Sequence, residues 1–396
     1  MKIRVGVIFG GRSVEHEVSV ISALQAMQSL DPEKYDPTAI YLTKNNELYV
    51  GAPVENIEAY KDIPTLLRQS IRVVPVFDKG KYMLVQYPHR LLGMSPIELD
   101  VILPIVHGTN VEDGTLMGYL KTWGIPFAGC DVTAAAVGMD KYIMKTVFSD
   151  NDIPVLPCRR YTTADYRDID GIISDIEKTF GYPVIVKPVN SGSSVGISVA
   201  HDRDGLMDSL DEAFTFANVV LAEHAITKLK EINCSVLGDV EDAKASVCEE
   251  PYHSEEILSY EDKYMSGGKN KGASKGMASV ARKIPAPIGD DMTKRIQELA
   301  VRAFTCLGCN GVVRFDFMID EEKNELYLNE INTIPGSLSF YLWEPAGVSY
   351  PELLDRLIDL AMKRRRDEER VTYSFDTNIL NQSSLSGLKG SKGSKL

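Results

Sequence analysis

The chain has 396 residues, 44% of them hydrophobic, enough to fill two or three ordinary cores. Its 43 basic and 56 acidic residues leave a formal net charge of −13, which repels phosphate backbones and anionic lipid, so neither nucleic acid nor a membrane is expected as a partner. No apolar run approaches the roughly 20 residues of a bilayer crossing, and six cysteines in a chain this long form no disulfide framework, so a cytoplasmic setting is expected.

Residues 3–9 (IRVGVIF) read as a first core strand rather than a signal peptide, because the apolar run ends in Gly10-Gly11 and not in a cleavage site. A helix follows from Glu17 to Leu30. Residues 100–107 (DVILPIVH) repeat the buried-strand pattern, with a helix from Gly114 to Trp123. Strand, loop and helix in succession predict an α/β layer with a mostly parallel sheet. Pro126 and the turn at Gly129–Asp131 mark a boundary. Beyond it come a helix over Asp140–Asp150 and strands at 183–188, 194–200 and 219–223. The region 228–365 opens with strands, holds a polar glycine-rich loop from Ser254 to Ala278, and closes with helices at 289–307 and 351–366. The last helix ends in Lys363-Arg364-Arg365-Arg366, a favourable end for the helix dipole and so a solvated terminus rather than a nucleic-acid site. From Asp376 the Ser/Gly/Lys-rich tail is expected to be disordered. Its final Ser394-Lys395-Leu396 spells a peroxisomal address but is read as a coincidence of that composition. Cys306 and Cys309 form a CxxC without a second pair at zinc spacing, so they are expected to be structural.

Three segments carry candidate chemistry. In GVVRFDFMIDEEKNELYLNEINTIPGS, residues 311–319 and 325–331 predict a hairpin closed by EEKN. If Asp316 pairs across it with Glu330, then Arg314, Asp316, Glu330 and Asn332 share one face. Three oxygen donors there suit Mg²⁺, with Arg314 facing developing negative charge. The acids alone favour a solvated edge hairpin, and the alternation of Val313, Phe315 and Phe317 opposite Arg314 and Asp316 favours the metal reading. In VIVKPVNSGSSVGI, Lys187 ends an apolar strand before a small-residue loop, where Gly192, Ser193, Ser194 and Gly196 let backbone N–H groups approach phosphate oxygens, although the loop alone would also suit a plain hairpin. It matches neither a Walker A loop nor GxGxxG, which also argues against a dinucleotide-dependent oxidoreductase. The third, GGRSVEHEVS, puts Glu15 at the carboxyl end of the first strand, where α/β ligands bind. A favourable charge at a helix N-terminus explains that position as well.

Together with HGTNVEDGT, Met139-Asp140-Lys141 and Asp262-Lys263-Tyr264, these segments resemble the D-alanine–D-alanine ligase family of the ATP-grasp superfamily, in order and over nearly the whole chain. The resemblance implies an α/β (α+β) three-domain fold: a doubly wound parallel N-terminal sheet (1–128), a central ATP-grasp unit (129–226), and a C-terminal ATP-grasp unit (227–367) with the 254–278 loop as a lid, then a tail (368–396). It implies ATP held by Lys141, Lys187, Ser193, Ser194 and Lys263, with Glu223 by the adenine and Glu231 on the ribose. Two Mg²⁺ ions (or Mn²⁺) would sit on Asp316, Glu330 and Asn332. Glu15, Ser193 and Tyr264 would hold the first D-amino acid, and Arg314 with the Gly336 N–H would stabilise the oxyanion. His107, Ser337 and Tyr341 would adjoin the second substrate. The implied activity joins two D-alanines through an acyl phosphate for peptidoglycan precursors, in a cytoplasmic homodimer whose only other partners are ATP and amino acids.

The acceptor half departs from the family. Val111 and Met117 replace a glycine and a glutamine, and Tyr341 stands where a serine for the second carboxylate is usual. D-serine or another acceptor is therefore an alternative, and a non-catalytic nucleotide-binding relative is a further one, opposed by the retained Lys141, Lys187, Arg314, Asp316, Glu330 and Asn332.

Overall fold

The computed structural model describes residues 2–90, 93–190, 192, 195–251 and 282–374. Strands β1 (Ile3–Gly10), β2 (Tyr35–Leu42), β3 (Leu48–Val50), β4 (Ile71–Asp78), β5 (Lys81–Gln86), β6 (Ile97–Leu99) and β7 (Val101–Val106) form a sheet ordered β6-β5-β4-β3-β2-β1-β7. Only β1 with β2 and β1 with β7 are parallel; the other pairs are antiparallel. This corrects the doubly wound parallel sheet expected here. The reason is chain length: β2 reaches β3 through residues 43–47 and β4 reaches β5 through Lys79 and Gly80, whereas a parallel pair needs a crossover of about a dozen residues. The helix His16–Ser29 supplies one between β1 and β2.

Strands β8 (Cys158–Thr162), β9 (Val184–Pro188), β10 (Ser198–Ala200) and β11 (Val219–His224) form an antiparallel sheet ordered β10-β9-β11-β8. The strand expected from 194 begins only at Ser198, because Gly196 turns the chain at φ +72, outside extended geometry. Strands β12 (Leu229–Gly238), β13 (Ala243–Pro251), β14 (Arg282–Lys283), β15 (Gly311–Asp320) and β16 (Glu325–Asn332) form a third sheet ordered β14-β13-β12-β15-β16. The expected glycine-rich loop (254–278) and the expected disordered tail from Asp376 lie outside the described residues.

Each sheet buries one face under amphipathic helices. Ile169–Phe180 and Arg203–Phe216 cover the second sheet with Ile172, Ile173, Ile176, Leu206, Leu210 and Ala213. Their first turns are capped by Asp168 and Asp202, which accept from Gly171 N and Gly205 N. Asp290–Cys306 covers the third sheet, and the helices Val132–Met139 and Lys141–Asp150 add Ala134, Ala135, Met144 and Phe148 to the same core. The last helix, Tyr350–Glu368, returns Leu353, Leu354, Leu357 and Ile358 to the core of the first sheet. Cys309 is buried against Cys130, and Cys306 is half-buried. Among the described residues no helix is long and apolar enough to cross a membrane.

Phe304 is fully buried in the core of the third sheet, and Phe77 is 55% exposed. Phe304→Ala is expected to cost about 3–5 kcal/mol of stability and Phe77→Ala about 0.5 kcal/mol or less. Urea unfolding followed by circular dichroism checks both.

Candidate active site

The hairpin β15–β16 sets the centre of the site. Val313, Phe315 and Phe317 are fully buried, so period-2 geometry turns Arg314 and Asp316 to the opposite face. Asp316 stands opposite Glu330, and Arg314 opposite Asn332. On β16 the buried positions are Leu326, Leu328 and Ile331, a spacing that changes from two to three. The register shifts there, making Asn329 an extra residue that leaves the core side together with Glu330. Arg314 grips Asp316 with two bonds, Nε to Oδ1 at 2.6 Å and Nη2 to Oδ2 at 2.7 Å, and Asn332 Nδ2 donates to Oδ2 at 3.1 Å. Burial pushes the Asp316 carboxyl up, and the Arg314 charge opposes it.

Lysines face this row from other elements. Lys141 opens its helix after Asp140, whose side chain accepts from Tyr142 N and Ile143 N, and its Nζ lies 3.4 Å from Glu330 Oε2. Lys187, on β9, donates to Asn329 Oδ1 at 3.2 Å and lies 3.0 Å from Glu223 Oε1. The other Glu223 oxygen accepts from Lys145 Nζ at 2.8 Å, and Lys145 also donates to Leu156 O. Lys187 is paired with Leu221 across β9 and β11, so Glu223 is its diagonal neighbour. All three side chains are 6% exposed or less. Burial works to raise the Glu223 carboxyl, but the charges of Lys145 and Lys187 outweigh it and hold it at about 2. Both oxygens of Glu223, expected beside an adenine, face these lysines. Glu231 lies on β12 opposite Met318, and its charge acts on Asp316.

At the other end Glu15 is 9% exposed, and its N–H donates to Ser13 Oγ. Gly108 (φ +83) and Gly192 press on its carboxylate; a Cβ on either would come within 2.8 Å of Oε2. The positive φ of Gly108 favours glycine, and the approach of Gly192 brings the loop after Lys187 to Glu15. His107 donates through Nδ1 to Ile334 O at 2.8 Å and meets Ser22 Oγ through Nε2 at 3.3 Å. Burial lowers the imidazole pKa, so it stays neutral. Ser337 N–H also reaches Ser22 Oγ, and Ser337 Oγ donates to Gln25 Oε1. Ser337, Leu338 and Ser339 adopt φ of 49, 53 and 51 in succession, a left-handed turn costing about 1–2 kcal/mol per residue. The helix His16–Ser29 holds it through Ser22 and Gln25. Gly336 leads into this turn. Tyr341 donates its hydroxyl to Glu249 Oε1 at 3.3 Å.

The structure thus brings Lys141, Lys187, Glu223, Arg314, Asp316, Glu330 and Asn332 into one connected polar cluster, and the charges of Glu15 and Arg314 both reach His107. Ser193, Ser194, Lys263 and Tyr264 lie outside the described residues. Sequence reasoning did not single out Lys145, Asn329, Glu249 or Glu112. Glu112 accepts from Gly108 N, Ile334 N and Thr333 Oγ1, stitching the HGTNVEDGT loop to the NTIPG segment. The acid within HGTNVEDGT was its only sequence signal.

Burial, aided by the charge of Glu15, pushes the Glu112 carboxyl up to about 7. An unfolded glutamate titrates near about 4.3, so between those values folding takes up a proton, and the stability from this group falls as pH rises toward 7. Wild type is therefore expected to lose stability relative to Glu112→Gln between about pH 5 and pH 8. Urea unfolding of both proteins at the two pH values measures it, and parallel pH trends would contradict it.

The family models described as D-ala D-ala ligase N-terminus and C-terminus match residues 4–130 and 147–359. The D-alanine–D-alanine ligase of Acetivibrio thermocellus is 39% identical over 92% of this chain and 97% of its own, and that of Thermosipho melanesiensis is 35% identical over 96% and 98%. Among solved structures, the D-alanine–D-alanine ligase of Coxiella burnetii superposes with a TM-score of 0.76 at 27% identity, over 93% of this chain and 96% of that one. The VanG D-Ala:D-Ser ligase of Enterococcus faecalis superposes with a TM-score of 0.75 at 28% identity, over 91% and 100%. With matches of this extent over nearly its whole length, the chain belongs to the D-alanine–D-alanine ligase family of ATP-dependent ligases.

Proposed function

We propose that the chain uses ATP to join two D-alanines into D-alanyl-D-alanine through an acyl phosphate. The observation that carries this is the row of cations, Lys141 and Lys187, facing the oxygen-bearing face of β16 at Glu330 and Asn329 across 3.4 and 3.2 Å. A polyanionic ligand inserted there exchanges those contacts for its own. Lys141 and Lys187 would take the phosphates and Glu231 the ribose, with the Glu223 edge toward the base. Ser193, Ser194, Lys263 and Tyr264 complete the proposed set.

Asp316, Glu330 and Asn332 suit Mg²⁺ in chemistry: they are hard oxygen donors at facing positions of one hairpin. A metal held there would take its remaining ligands from phosphates and water. When bound, Mg²⁺ would neutralise phosphate charge and polarise the γ-phosphoryl group.

Glu15 would hold the ammonium of the first D-alanine, whose carboxylate attacks the γ-phosphorus and releases ADP. The amine of the second D-alanine then attacks the acyl carbon and phosphate leaves. Arg314 and the Gly336 N–H would stabilise the oxyanion of that tetrahedral intermediate. His107 and Ser337, both engaged in hydrogen bonds, would shape the floor of the second subsite, with Tyr341 at its wall. We place the enzyme in the cytoplasm as a homodimer, and sedimentation of the purified protein reads the oligomeric state directly.

Purified protein with ATP, Mg²⁺ and D-alanine should release one phosphate per dipeptide, with the product identified by mass. Lys187→Met and Glu330→Gln should each lower kcat/KM about 100-fold or more. Dipeptide formation with D-serine but not D-alanine as acceptor would overturn the acceptor assignment. Failure to cleave ATP with any D-amino acid would overturn the ligase reading.

A further inference from the structure

The row of side chains that begins at Glu330 does not stop at Asp316. Asn233 on β12 stands opposite Asp316 of β15 on one side and opposite Glu249 of β13 on the other. Glu330, Asp316, Asn233 and Glu249 therefore form one line across four strands and share one face of the sheet. One end of that line meets Lys141. The other meets a second, separate cluster. Glu249, 2% exposed, accepts from Asn233 Nδ2 at 2.9 Å, from Arg282 Nη1 at 3.1 Å and from the Tyr341 hydroxyl at 3.3 Å. The Arg282 guanidinium lies over the Tyr341 ring, with Cζ 3.8 Å from its centroid.

We propose that Glu249 and Arg282 are positioning residues that set acceptor recognition by fixing Tyr341. This rests on the ligase reading above and deepens it. Three constraints hold the tyrosine: a hydrogen bond at its hydroxyl, a cation on its face, and burial to 7% exposure. The carboxylate that anchors the hydroxyl also neutralises the guanidinium that covers the ring. Arg314 lies close enough for its charge to act on both Glu249 and Tyr341. An acceptor carboxylate drawn to Arg314 therefore meets Tyr341 as a fixed wall, which selects a compact amino acid. The nucleotide end of the row, four strands across at Lys141, takes no part in that selection.

The test separates activation from acceptor capture. Hydroxylamine, a small nucleophile without a carboxylate, attacks the acyl carbon, expels phosphate and yields a hydroxamate, so it reports acyl-phosphate formation alone. Dipeptide formation reports both halves. In Glu249→Gln the ratio of dipeptide to hydroxamate at sub-saturating D-alanine should fall about tenfold or more, through a raised acceptor KM. Arg282→Lys should lower it in the same sense, and Glu249→Asp should recover part of the loss. Tyr341→Phe, which removes one hydroxyl and no charge, keeps the test informative if the charge variants fold poorly by thermal melting. A ratio that stays at the wild-type value in Glu249→Gln and Tyr341→Phe overturns the proposal. Failure of wild type to form either product from ATP and D-alanine overturns the ligase reading instead.

Discussion

The cross-strand pairing of Asp316 with Glu330 is the constraint on which the rest of the site depends. Slipping β16 by one residue would turn Glu330 or Asn332, according to direction, into the space now filled by Ile331. Phe315 and Phe317 lock the register from beneath, so a hydrophobic preference decides where the polar groups stand. The bulge at Asn329 then adds a neighbouring polar residue on the cleft face without disturbing the core. Through it the hairpin meets Lys187 from the second sheet, and through Glu330 it meets Lys141. Three pieces of chain far apart in sequence converge on one polar line.

Charge balance keeps that line in place. An isolated buried ion costs several kcal/mol, and a carboxylate shared by two lysines avoids that state. Glu223 serves Lys145 and Lys187 in this way, just as Asp316 serves Arg314 and Glu249 serves Arg282. Each cation is thus oriented before a ligand arrives, and an acidic chain with a formal charge of −13 still presents a local row of positive groups. The left-handed turn at Ser337–Ser339 is the strained counterpart, held by the helix His16–Ser29.

Much of this was legible in the residues. The apolar runs of β1 and β7, the alternation Val313–Phe315–Phe317 and the lysine ending β9 are local patterns, and they correspond to strands in the fold. The change of spacing from Leu328 to Ile331 announces the bulge, although only the register shows what it does. Other features depend on distant partners. Glu112 bonds to Ile334, 222 residues away, and Lys145 to Glu223, 78 residues away. The antiparallel half of the first sheet followed from connection lengths rather than from the strand pattern. The direction of Tyr341 is set by Glu249 and Arg282, which no motif links to it.

The claim that the β15–β16 face is a metal–phosphate site is tested most directly by Mn²⁺ binding. Electron paramagnetic resonance titration of Mn²⁺, in the presence of a non-hydrolysable ATP analogue, reads affinity without turnover. Wild type should bind Mn²⁺ tightly only when the nucleotide is present, and Asp316→Asn or Glu330→Gln should weaken it about tenfold or more. Equal Mn²⁺ affinity in all three proteins, or tight binding without nucleotide that survives both substitutions, would contradict the account.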